Sequence, residues 1–166
     1  MDFLLIAVPL SYFALKKETN FLKLLGIKKI PVKELIIKSL QIFAVLFIAS
    51  IALSYLFNLI NLNDLNKVTE KVLQLRQGTQ AILIYLLIAR VLTEEIFFRG
   101  FLAPRIGAIY SSIIFALFHF AYGSIAEMLG AFILGLILAA AFQKNKNLLP
   151  NIGAHWIYNL VAVTLM

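Results

Sequence analysis

Six apolar runs follow one another along the chain, at about 3–15, 31–59, 79–102, 106–122, 125–142 and 148–166. Most approach the roughly 20 residues that carry an α-helix across a bilayer. Backbone amides and carbonyls in hydrocarbon have no water to bond, so such runs must satisfy them internally as helices. Composition points the same way. Of 166 residues, 62% are apolar and 14% charged, with a mean hydropathy of +0.94. A soluble domain is closer to ~45–50% apolar and ~25% charged. A soluble globular enzyme, a disordered chain and a coiled coil are therefore excluded. The expected fold is all-α: a single polytopic membrane helix bundle over residues 1–166, with about six transmembrane helices plus interfacial amphipathic helices. Its motif-bearing core lies at about 79–166.

The first run, 3–15, contains Pro9 and is short for a span. It reads as a short spanning helix, a re-entrant segment or, least favoured, a signal peptide, since Asp2 precedes it and the lysines follow it. Residues 16–30 set Phe21, Leu22, Leu24, Leu25 and Ile27 among lysines and predict a helix lying in the interface. Pro31 suits a first helical position. Residues 61–78 predict a polar connecting helix ending at Gly78. Seven lysines between Lys16 and Lys38 face only Glu18 and Glu34, a net +5 within the chain's +7. In a membrane protein such clusters mark the cytoplasmic side or meet anionic headgroups, so nucleic acid is not an expected partner. Alternation then puts Arg99, Arg105, Lys144 and Lys146 on that same side.

The chain has no cysteine, which removes disulfides, thiolate metal sites and a cysteine nucleophile. What remains inside the apolar runs is conspicuous, because a charge at the bilayer centre costs at least ~2.5–3.5 kcal/mol. The third run carries Glu94 and Glu95, with Arg90 four residues before Glu94 and Arg99 four after Glu95. Those spacings put each pair on neighbouring turns, where they can neutralise one another. His119 lies in the fourth run; His155 and Asn159 lie four apart, on one face, in the sixth. Each imidazole would be unsatisfied in hydrocarbon without a polar partner. The cheapest arrangement gathers the three polar helices around one hydrated pocket. At 1.5 Å per residue, Glu94 falls about 12 Å from the basic end, His155 about 8–10 Å and His119 roughly 16–19 Å. Ala131, Gly135 and Ala139 form a small-residue stripe suited to close helix approach. Glu127 is expected to snorkel, and Trp156 to be either an interface anchor or a pocket wall.

Read in order, Glu94-Glu95-Ile-Phe-Phe-Arg99, Phe115-Ala-Leu-Phe-His119 and His155-Trp-Ile-Tyr-Asn159 resemble the signature of the CPBP (Abi) family of intramembrane proteases, which includes the type II CAAX prenyl endopeptidases. The text between them is similar too: Phe97-Phe98-Arg99-Gly100, Ser111-Ser112, and Asn147-Leu148-Leu149-Pro150. The resemblance covers about residues 90–160. It implies that Glu94 with His119 activates a water, that His155 and Asn159 stabilise the oxyanion, and that Glu95 and Arg99 support the site. Physical chemistry agrees that two adjacent carboxylates in a low-dielectric pocket do not both ionise cheaply. A histidine N–H and an asparagine amide are suitable oxyanion donors. A metal stays open: Glu94, His119 and His155 could form a His₂Glu zinc site, whereas the chemistry can also run on glutamate and histidine alone. The implied partners are the lipid bilayer and a peptide or prenylated protein substrate. The implied place is a multi-pass cell-membrane protein with its active site toward the cytoplasm. For that family the chain is compact, as a minimal or a shortened member would be. Two other classes compete. One is a non-catalytic scaffold or bacteriocin-immunity-type protein retaining the polar cluster. The other is a proton relay or small transporter, disfavoured by the lack of an internal repeat.

Overall fold

The computed structural model describes residues 2–62, 64–77 and 85–165. Every regular element among them is helical. In chain order these are α1 (Asp2–Leu15), the single turn α2 (Phe21–Leu24), α3 (Val32–Leu59) and α4 (Asn66–Gln77). Then comes α5, which runs without a break through π-helical Tyr85–Arg90, α-helical Val91–Glu94, π-helical Glu95–Leu102 and α-helical Ala103–Ile106. It is followed by α6 (Ala108–His119) with a 3₁₀ turn at Phe120–Tyr122, α7 (Ile125–Asn145) and α8 (Leu149–Leu165). Among the described residues, only α3 and α7 are long and apolar enough by themselves to cross a bilayer; α1 and α6 are shorter apolar helices. The expected start of the third run at 79–84, and the stop at Gly78, lie outside the described residues.

α3 shows why this bundle suits lipid. Ile42 and Leu46 pack inward with Leu138 of α7 and Ala154 of α8. Its other face leaves Ile48 67%, Ile51 56% and Tyr55 66% exposed. A helix apolar on every side is one that faces a core and hydrocarbon together.

Residues 16–30 differ from the expected interfacial helix. Only one turn forms, because Gly26 takes φ +80° after it and closes the helix with its N–H on the Lys23 carbonyl. A Cβ at Gly26 would lie 2.6 Å from the Phe142 ring, so the turn is also a packing point. The chain then runs on without helix, and Pro31 caps α3 from outside, with Val32 as the first helical residue.

The two ends of the bundle are distinct. At one, the Gly26 carbonyl accepts from Leu148 N–H at 2.8 Å and the Lys28 carbonyl from Asn147 Nδ2 at 3.1 Å, while Arg105 lies over the Phe101 ring. The lysine-rich segment, Arg105, Lys144 and Lys146 thus gather together. At the other end, Asp64 seals the start of α7. It accepts from Ile125 N–H at 2.7 Å, Ala126 N–H at 3.1 Å and Ser124 Oγ at 2.8 Å. Lys67 and Lys71 donate to the Gly123 and Ala121 carbonyls that close α6. The Ile125 N–H, above all, holds the Asp64 carboxyl below the ordinary carboxylate range. A depressed folded value means that this cap stabilises at neutral pH, and the contribution is lost as pH falls through that lowered value.

Candidate active site

α5 delivers its carboxylates in two directions. Glu95, fully buried, points to α8: its Oε1 accepts from His155 Nδ1 at 2.9 Å and pairs with Arg99 at 3.0 Å, and its Oε2 lies 3.5 Å from Asn151 Nδ2. Glu94, one residue back and so about 100° around an α-helix, turns instead to Arg90, whose Nε donates at 2.9 Å. Both self-pairing spacings seen in the sequence are therefore made. π-helical stretches on either side of Val91–Glu94 re-aim the neighbouring side chains, a feature common at functional sites.

Phe115 is the hub between the motifs. Its ring centroid is 4.4 Å from that of His119 and 6.3 Å from that of His155, and the Arg99 guanidinium lies 4.2 Å from it. Arg99 Nη2 has no hydrogen-bond acceptor among the described residues, so the ring face supplies part of its stabilisation. Close approach of α6 and α7 depends on Gly135, where a Cβ would meet Phe115 at 3.2 Å and Ser112 at 3.3 Å. The small-residue stripe thus sets how near Phe115, and with it His119, sits to the bundle axis.

A cavity of about 330 Å³ opens between α3, α6, α7 and α8. His119, His155 and Asn159 all line it, together with Glu127, Tyr158, Ser50 and Ser54 on an otherwise apolar wall. Glu94 is buried but does not line it. Glu95 and Arg99 stand behind His155 and Phe115. One nitrogen of each imidazole has a fixed partner. His119 Nδ1 donates to the Phe115 carbonyl at 2.9 Å, since a carbonyl only accepts. His155 Nδ1 is fixed by Glu95, which leaves Nε2 for the cavity. Second partners of this kind set the tautomer and the orientation of a working histidine.

The cavity sits in the half of the bundle that Asp64 seals, reaching Leu65 and Leu165, and away from the basic end. His119, the last residue of α6, belongs to that half, as the depth estimate from the basic end foresaw. The cavity and the basic residues thus lie toward opposite ends of the bundle.

Two residues escaped the sequence reading. Asn151 donates to the Leu138 carbonyl at 2.7 Å and braces Glu95; a buried amide in the first turn of an apolar helix was the available signal. Glu127, which the sequence reading expected to snorkel, lines the cavity. Trp156 proves to be neither a cavity wall nor only an anchor, since its Nε1 donates to the Ile88 carbonyl at 3.1 Å and ties α8 to α5.

A zinc ion would require Glu94, His119 and His155 to meet at about 2 Å from one point. Glu94 is engaged by Arg90 away from the cavity, and His155 turns one nitrogen to Glu95. Among the described residues, no three histidine, aspartate or glutamate side chains are arranged to hold a metal. The residues as placed do not fit a His₂Glu centre.

One family model matches residues 76–161, a little over half of the chain; it describes the type II CAAX prenyl endopeptidase Rce1-like family. No curated protein and no solved structure matches.

Proposed function

We propose, from the premise that this chain belongs to the Rce1-like type II CAAX prenyl endopeptidase family, that it is an intramembrane endopeptidase acting on a membrane-tethered peptide. The observation that carries this reading is the family match itself, whose span holds all seven motif residues from Glu94 to Asn159. The shared cavity of His119, His155 and Asn159 supports it. In this reading the protein crosses the cell membrane several times, with α5 to α8 as the catalytic core.

The reaction is hydrolysis. Glu94 and His119 take a proton from water as its oxygen adds to the scissile carbonyl. His155 Nε2–H and the Asn159 amide receive the developing oxyanion. The carbon–nitrogen bond then breaks and the proton passes to the leaving amine. Glu95 and Arg99 hold His155 from behind. Glu94 reaches the cavity by releasing Arg90 and turning about its own helix. The apolar α3 wall of the cavity suits an isoprenoid chain, which makes a prenylated C-terminus the favoured substrate. Positive charge places the basic end in the cytoplasm. The cavity mouth then faces the opposite side, and a cytoplasmic substrate would enter laterally between helices.

The test is cleavage by the purified chain in liposomes of a peptide ending in a prenylated cysteine motif, beside its unprenylated twin. Release of the terminal residues, faster from the prenylated peptide, is the expected result. No cleavage of either would remove the proposal. One observation favours a second reading, a non-catalytic membrane scaffold: both carboxylates of α5 are already paired with arginines on their own helix. That reading expects folded protein and no cleavage.

A further inference from the structure

Helix α7 opens with Ser124-Ile-Ala-Glu127, the pattern of a capping box, in which the acidic residue would turn back to the cap. Only half of the box is made. Ser124 Oγ accepts from Glu127 N–H at 3.0 Å, while Asp64 receives the Ile125 and Ala126 amides and the Ser124 hydroxyl. With Asp64 supplying the negative charge at this helix end, the Glu127 carboxylate is released from capping. It lines the same cavity as His119. A carboxylate facing an otherwise apolar lining is expensive unless it serves a charge beside it. Glu94, the carboxylate that the family motif supplies, is meanwhile engaged by Arg90 outside the lining.

We infer that Glu127 is a positioning residue for the proposed hydrolysis: its carboxylate, on the same cavity, stabilises the imidazolium formed when His119 takes the proton of the attacking water. The inference rests on the endopeptidase reading. The atoms balance within that reaction. His119 Nδ1–H stays on the Phe115 carbonyl, and Nε2 receives the water proton as the hydroxyl oxygen bonds to carbon. The same proton later leaves with the amine, while Glu127 contributes charge and takes up no atom. Of the other polar groups on this cavity, Tyr158 and Asn159 carry no charge to take its place.

The experiment compares Glu127→Gln, Glu127→Asp and Ser124→Ala with the wild type, in liposomes, on the prenylated peptide. Glu127→Gln should lower kcat about 10- to 100-fold with KM little changed, a share of the ~10²–10⁴ that positioned acid–base groups supply. Glu127→Asp should recover part of that loss. Ser124→Ala loosens the same helix end while Asp64 keeps the Ile125 and Ala126 amides and its charge there, so it should lower thermal stability and leave kcat unchanged. Wild-type kcat in Glu127→Gln overturns the inference and leaves the endopeptidase reading standing. So does a fall in kcat that Ser124→Ala reproduces, because the effect would then be structural. If Glu127→Gln does not fold, Glu127→Asp decides: kcat at the level of the wild type with raised KM overturns the inference, and reduced kcat with unchanged KM supports it. A wild type that cleaves nothing overturns the endopeptidase reading itself, and this inference falls with it.

Discussion

Glu95→Ala should destabilise the bundle by about 3–5 kcal/mol, the cost of leaving one partner of a buried ion pair alone. Glu95 is 0% and Arg99 1% exposed, so no water can replace the lost carboxylate. Arg99 already lacks an acceptor for Nη2 among the described residues and would be left with the Phe115 and Phe98 rings. His155 Nδ1 loses its acceptor in the same stroke, while Asn151 Nδ2 keeps the Leu138 carbonyl. Denaturant titration in detergent measures the loss. Glu95→Gln, which keeps an oxygen for His155, should fall between Glu95→Ala and the wild type. Unchanged stability in Glu95→Ala would mean that the Glu95–Arg99–His155 cluster does not hold α5 to α8.

His155→Ala should lower kcat for peptide cleavage about 10²–10³-fold, the loss typical of removing one oxyanion donor. Its effect on folding should be smaller than that of Glu95→Ala, because the Glu95–Arg99 pair survives. Near wild-type turnover in a folded His155→Ala protein would remove His155 from the chemistry. The two variants together separate the framework of the site from its working face.

The helices were legible because apolar runs of bilayer length have one solution in hydrocarbon. Ile125–Asn145 and the connecting helix Asn66–Gln77 lie close to where the pattern puts them. The segment after Lys16 was not, because amphipathic spacing says nothing of a backbone that Gly26 reverses against Phe142. Within the site, the i,i+4 pairs Arg90–Glu94 and Glu95–Arg99 were visible, being local. Which carboxylate turns to α8 was not. Adjacent glutamates differ only in the direction each faces, and π-helical winding on both sides changes that direction without a mark in the sequence. Glu127 was misjudged for a related reason. Its place near a helix end suggested water, but Asp64, some sixty residues earlier, takes over the capping role that would have held it there.

The account stands on the meeting of groups from separate helices at one cavity, and the absence of native cysteine makes that meeting directly measurable. A His119→Cys, Asn159→Cys double variant in lipid can be treated with a short bifunctional thiol reagent and read by mass spectrometry. The account predicts an intramolecular cross-link between the two positions. Full modification of each cysteine separately, with no bridge between them, would contradict it.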